Sequence, residues 1–203
     1  MTRRTHNVIR CRGCGTHLDG CICDQLPRLV TRTRLVLVIH QRETYKPSNT
    51  GKLAVKCLTN SQTVMRGDRS RVEKIEWPAD SQPLLLFPHA DATPLTEWIG
   101  CTRPITLIVP DATWRQAARV RRRVPELAEV PCVSLPAGEP SRYFLRTTSQ
   151  PRGLATIEAV ARAMGLLEDA EIERALDRVF QIMVERTLSL RGQLERRSST
   201  ACS

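Results

Sequence analysis

Three short apolar runs, Leu35–Ile39, Leu84–Phe87 and Ile105–Val109, constrain this chain most. Each is continuous rather than alternating, which suits a strand buried on both faces. Helix signals follow each run. Ser48, Asn49 and Thr50 precede a helix from near Lys52 through Leu53, Val55 and Leu58; Thr93-Pro94 reads as an N-cap with proline in the first turn. After the third run, Thr113 and Gln116 have the form of a capping box, with Ala117, Val120 and Val124 at helical spacing. Pro131–Leu135 predicts a further strand, while Thr63–Arg66 and Val72–Trp77 read as strands or connections. Leu154–Met164 predicts a helix closed by Gly165, and a last helix from Glu168 to Leu190 sets Ile172, Leu176, Val179, Met183 and Leu190 on one face. The expectation is an α/β domain over 31–190, with a mostly parallel sheet and helices on both faces.

Cysteine placement adds a second unit. Of eight cysteines, Cys11, Cys14, Cys21 and Cys23 cluster among Gly13, Gly15 and Gly20, and the others are scattered. Four soft thiolates with turn residues between them suit a tetrahedral Zn2+ with no position left for substrate, hence a structural zinc module over 1–30. His17 reads as a solvated loop residue. Residues 191–203 read as a disordered tail. No run approaches a membrane span or a secretory signal core, so the expectation is a soluble, cytoplasmic protein with no membrane partner, taken as a monomer.

Lys and Arg total 31 against 21 Asp and Glu, a formal net charge of +10. That excess points to a polyanionic partner such as RNA. Only four of these cations are lysines. Arginine suits bidentate phosphate contacts, although codon bias produces the same tilt.

The turn Pro110–Ala117 is the first place to look for chemistry. Asp111 stands where a strand ends and a helix begins, the edge at which open α/β sheets bind ligands. Capping is the plain alternative for it. Trp114 suits a core position or a stacking platform, and Arg115, Arg119 and Arg122 suit a solvated face or an RNA backbone. Ser141, Tyr143 and Arg146 lie in a Pro- and Gly-rich loop after the fourth strand, where hydroxyls and a guanidinium can hold a carboxylate or phosphate. Thr156-Ile157-Glu158 is by itself an ordinary helix start.

Taken in order, five pieces resemble the DTW domain family, enzymes similar to tRNA-uridine aminocarboxypropyltransferases. They are the cysteine cluster, His40 with Ser48-Asn49-Thr50-Gly51, Asp111-Ala112-Thr113-Trp114, Ser141–Arg146, and Leu154–Ala159. Ala155 departs from the family's usual serine. The resemblance implies a SPOUT-like fold with a C-terminal trefoil knot holding S-adenosylmethionine. It also implies transfer of that molecule's 3-amino-3-carboxypropyl group to N3 of a tRNA uridine, often in the variable loop, releasing methylthioadenosine. On that implication Asp111 is the base, since N3 carries a weakly acidic proton. Pro88, Thr113, Trp114, Leu135, Ser141, Tyr143, Arg146, Thr156 and Glu158 would bind the cofactor. His40, Ser48, Asn49, Thr50, Arg115, Arg119 and Arg122 would bind the tRNA. A SPOUT-type RNA methyltransferase and a non-catalytic zinc-containing RNA-binding adaptor are the alternatives.

Overall fold

Leu35, Leu37, Leu107 and Val109 pack into one core, and Val36, Val38 and Ile108 into another, on the opposite side of the same strands. This division is what continuous apolar runs require of a sheet covered on both faces. The computed structural model describes residues 9–46, 49–67, 73–143, 153–190 and 192. Ser48, Val72, Arg146 and the residues beyond 190 other than Gly192 lie outside them.

The sheet has six parallel strands: β1 (Arg34–His40), β2 (Ser61–Arg66), β3 (Gln82–Leu86), β4 (Thr93–Pro94), β5 (Ile105–Asp111) and β6 (Cys132–Ser134). Their spatial order is β2-β1-β5-β3-β6-β4. A later strand, β5, is thus inserted between the earlier β1 and β3. One face is covered by α2 (Gly51–Cys57), α5 (Thr156–Leu167) and α6 (Ala170–Leu190), which contribute Leu53, Ile157, Val160, Met164, Leu176 and Phe180 to the larger core. The other is covered by Val120, Val124, Leu127 and Val130.

Several boundaries differ from the sequence expectation, each for a local reason. The helix expected at Thr93-Pro94 is a short 3₁₀ turn, Leu95–Trp98, with Pro94 rather than Thr93 at its N-cap; both residues also pair with Val133 and Ser134 at the sheet edge, where a proline's missing N–H costs no ladder bond. The helix after Thr113 breaks into α3 (Trp114–Ala117) and α4 (Val120–Arg123). Ala117, Val120 and Val124 are all buried, so a short turn between the helices preserves the apolar phase. Residues 73–77 form no strand. Gly165 lies inside α5 rather than ending it. Its absent side chain admits α6, because a Cβ there would sit 2.9 Å from that of Glu173. Leu190 is 48% exposed, and the buried side of α6 is instead Leu176, Val179, Phe180, Met183, Val184 and Leu188.

Two acidic residues fasten the α5–α6 corner. The carboxylate of Glu168 accepts the Thr33 N–H at 2.6 Å and the Arg32 N–H at 3.1 Å, tying the corner to the chain entering β1. Asp169 caps α6, its Oδ1 accepting from the N–H groups of Glu171 and Ile172. The cysteine-rich segment docks on the far end of α6: Gly20 sits against Leu190, Arg186 donates to the Cys21 carbonyl, and Ile22 is fully buried in the main core. Among the described residues no helix is long and apolar enough to cross a membrane.

Gly165→Ala tests the close approach of α5 and α6. In an open helix this change stabilises by about 0.5–1 kcal/mol. Here it is expected to cost about 1–3 kcal/mol through overpacking, read as a lowered thermal midpoint.

Candidate active site

Parallel strands bring their carboxyl ends to one edge, so His40, Leu86, Asp111 and Ser134 end β1, β3, β5 and β6 on the same side of the sheet. Asp111 is the last residue of β5, in register with Ile39, and is 7% exposed. A buried carboxylate needs donors. Thr156 Oγ1, in the first turn of α5, donates to Asp111 Oδ1 at 2.7 Å, and the Asn49 amide donates to Oδ2. Asn49 also accepts the Lys52 N–H at 3.2 Å, so Asn49 rather than Thr50 caps α2. Thr50 Oγ1 instead accepts from the Ile157 N–H at 3.4 Å.

Gly51 makes this approach possible. A Cβ at that position would lie 2.8 Å from Asp111 Oδ2 and 2.9 Å from Leu37 Cδ1. The Lys52 ammonium, which donates to the Thr44 carbonyl, is pushed below its ordinary range by burial, against which the Asp111 charge pulls it up. Sequence reading missed Lys52, although a lysine just after the Asn49 cap was the available signal.

A second carboxylate organises the loop after β6. Glu158, 5% exposed, accepts from Ser141 Oγ at 2.5 Å and from the N–H groups of Arg142 and Ala155, each at 2.7 Å. The Ser141 hydroxyl also receives the Tyr143 N–H at 3.1 Å, and the Tyr143 ring packs on Phe180 at 5.5 Å. Ser141 and Tyr143 are therefore turned into the protein. Ala155 offers no side-chain acceptor at the N-cap of α5, so only the glutamate half of a capping box is present.

Thr156 and Glu158 stand on two sides of the same helical turn. Thr156 faces Asp111; Glu158 faces a cleft of about 540 Å3, whose walls include Gly138, Glu139, Arg142, Arg162, Asp177 and Phe180. That is within the size range of small-molecule sites. Arg162 is held there by donating to the Glu139 carbonyl at 2.6 Å.

The other candidates are spread along the edge. Thr113 forms the expected capping box with Gln116. Trp114 is 37% exposed and tilts against Phe87, which in turn meets His89, a residue absent from the sequence expectations. Pro88 is exposed and Leu135 half-buried against the main core. His40 caps the short helix α1 (Gln41–Thr44), its Nδ1 accepting from the Arg42 N–H at 3.1 Å, and its ring lies over Gly67. Arg115 on α3, Arg119 at the N-cap of α4 and Arg122 on α4 are exposed. Ser48 and Arg146 lie outside the described residues.

The ligand atoms of Cys11, Cys14, Cys21 and Cys23 all lie within 4.8 Å of one another. Neighbouring sulfurs are 3.3, 3.5 and 3.8 Å apart. A tetrahedron of thiolates at zinc's bond length has edges of about 3.8 Å, so the four residues could hold a metal. A Cβ on Gly13 would run into the Cys23 sulfur, which explains the glycine. Ionisation is uneven across the cluster: burial opposes it at Cys14, yet hydrogen bonds from Thr16 and Ile22 bring that thiol down to about 6, while Cys11 and Cys21 push Cys23 up to about 12. His17 is no member of the cluster, its Nδ1 accepting instead from the Asp19 N–H at 3.2 Å.

A family model described as the DTW domain matches residues 8–188. A Drosophila melanogaster protein named tRNA-uridine aminocarboxypropyltransferase 2 is 26% identical over 198 residues, which cover 93% of this chain and 78% of that protein. The Mus musculus protein of that name is 32% identical over 167 residues, 78% of this chain but 56% of the mouse protein. An Arabidopsis thaliana tRNA-uridine aminocarboxypropyltransferase A is 29% identical over 209 residues, covering 86% and 79%. No solved structure matches.

The cleft's acids have a pH signature. Burial holds Asp177 above the ordinary carboxylate range, Arg142 pulls it down, Glu158 raises it and Arg162 lowers it. A carboxyl whose folded-state pKa is raised binds its proton more tightly folded than unfolded. It therefore favours folding at acid pH, and that contribution is lost as pH rises through the raised value. Asp177→Asn is expected to raise the thermal midpoint at neutral pH, with the gain fading toward about pH 4. A variant less stable than its parent at neutral pH would mean that pairing with the arginines outweighs desolvation.

Proposed function

The chain belongs to the DTW domain family, and from that premise we propose that it is a tRNA-modifying transferase. In this reading it moves the 3-amino-3-carboxypropyl group of S-adenosylmethionine to N3 of a tRNA uridine, giving the N3-substituted base and methylthioadenosine. The observation that carries it is a convergence: two separate motif segments, represented by Asn49 and Thr156, meet on the Asp111 carboxylate that belongs to a third. The names of the relatives supply the substrate and the class of group transferred.

The chemistry is a displacement at carbon. Asp111 takes the N3 proton, the N3–Cγ bond forms, and the Cγ–S bond breaks with its electron pair passing to sulfur. The sulfonium becomes a neutral thioether and needs no acid to leave. The chain's remaining task is alignment and exclusion of water. Asn49 and Thr156 fix the carboxylate, while Glu158 holds the Ser141–Tyr143 segment over the first turn of α5. The cofactor's amino-acid arm carries an ammonium and a carboxylate, and the adjoining cleft presents both acids and the Arg142 and Arg162 guanidiniums. Pro88, Leu135, Thr113 and Trp114 border the same edge. Ser141 and Tyr143 in this reading shape the loop rather than grip the ligand.

The reading extends to a SPOUT-like, knotted threading, supported by the insertion of β5 between β1 and β3. It also extends to a cytoplasmic monomer. Zinc in the four-cysteine site would brace the end of α6 through the Cys21 carbonyl and Arg186. Exposed Arg115, Arg119 and Arg122, with His40, would face the tRNA.

Incubating unmodified tRNA with S-adenosylmethionine labelled on the carboxyl carbon should move label into RNA; label on the methyl group should stay with methylthioadenosine. Transfer of the methyl label instead would establish the methyltransferase alternative, and absence of any cofactor binding the adaptor. Asp111→Ala is expected to lose about 10²–10⁴-fold in rate, with tRNA affinity retained. Replacing Cys11 and Cys14 by serine should remove the bound zinc and lower the thermal midpoint; unchanged metal content would contradict the ligand assignment.

A further inference from the structure

Tyr45 is 82% exposed, although aromatic residues make up only 4% of the chain. It follows α1, in the loop that joins β1 to α2 over the sheet edge where Asp111 lies. Its ring stands in solvent, but the residues on either side of it are pinned at three points. Buried Glu43 pairs with Lys46 at 2.5 Å, the Thr44 carbonyl receives the Lys52 ammonium, and the Lys46 carbonyl receives the Asn49 N–H at 3.1 Å. The same Asn49 donates its side chain to Asp111. One hydrogen-bonded loop therefore holds both the exposed ring and the buried carboxylate.

The surroundings are cationic rather than apolar. Arg42 on α1 and Arg123 on α4 are exposed and come from two different elements, and the charges of both act on His40, the residue that caps α1. Their fields meet at His40, which burial, Arg42, Arg123 and Lys46 push below the ordinary histidine range, with Glu43 opposing. Lys46 is engaged with Glu43, which leaves the two arginines as the corner's net charge. An exposed aromatic ring on a loop next to cationic side chains matches a single-stranded nucleic acid, whose bases offer π-faces and whose backbone offers phosphates. A protein partner would call for a wider apolar patch than one ring supplies.

We propose that Tyr45 is a stacking platform for an unpaired base of the RNA substrate, with Arg42 and Arg123 holding the flanking phosphates. The inference rests on the tRNA reading above and deepens it. N3 lies on the Watson–Crick edge of uridine, so a base-paired uridine cannot present it. An enzyme acting there needs the base unstacked, and a substitute stacking surface beside the site offsets part of that cost.

The test measures binding of the full chain to a short uridine-containing single-stranded RNA and to tRNA, with blunt duplex RNA as comparison. Tyr45→Ala should weaken single-strand and tRNA binding by about 5- to 100-fold and leave duplex binding and S-adenosylmethionine binding unchanged. Tyr45→Phe and Tyr45→Trp should restore affinity, because each keeps a ring. Arg42→Gln with Arg123→Gln should reduce the slope of log affinity against log salt by about 1–2. Equal single-strand affinity for wild type and Tyr45→Ala overturns the platform. Failure of the wild type to bind any RNA overturns the tRNA reading, and the platform with it.

Discussion

The architecture depends on placing one carboxylate, Asp111, at the end of a buried central strand and meeting it with donors from elsewhere. Asn49 comes from the start of α2 and Thr156 from the start of α5, respectively 62 and 45 residues away in sequence. Leaving a buried charge without such donors would cost several kcal/mol, about the size of a typical domain's whole margin of stability. The requirement therefore fixes more than the site. It sets where both helices begin, and it explains Gly51, whose missing Cβ lets the α2 start touch both Asp111 and Leu37. Fold and site are the same constraint viewed at two scales.

Glu158 repeats this logic on the other side of the same helical turn. Its three donors draw the segment after β6 onto α5 and leave the cleft open on the far side of that helix. α6 forms the outer wall and is held at both ends, by Asp169 and the Glu168 corner at its start and by the cysteine-rich segment near its finish. The four sulfurs, distant from Asp111 in sequence, thereby bear on the wall of the cleft beside it.

Legibility in the sequence followed the range of the interactions. The buried strands could be read because burial on both faces leaves an uninterrupted apolar run, and the Thr113–Gln116 box because it closes within four residues. The cysteine cluster was legible for the same reason of proximity. Gly165 was misread: a glycine near a helix end has the form of a stop, and only the neighbouring α6 shows that it is a crossing point. The helix start at Thr93-Pro94 came one residue late and its edge pairing went unseen, because an edge strand of two residues has no periodicity. The inward bond of Ser141 to Glu158 and the packing of Tyr143 on Phe180 are long-range facts that no local pattern around these two residues displays. Lys52 was read only as the start of a helix, although it follows the Asn49 cap, and Tyr45 passed unnoticed because a lone tyrosine carries no pattern.

If Asn49, Asp111 and Thr156 work as one unit, their removal is not additive. The decisive measurement is a double-mutant cycle on the rate of group transfer to tRNA, comparing Asp111→Ala, Thr156→Ala and the pair. The pair is expected to be no slower than Asp111→Ala alone, because Thr156 acts only through that carboxylate. Losses that multiply would place Thr156 and Asp111 in independent roles and contradict the convergence on which this account rests.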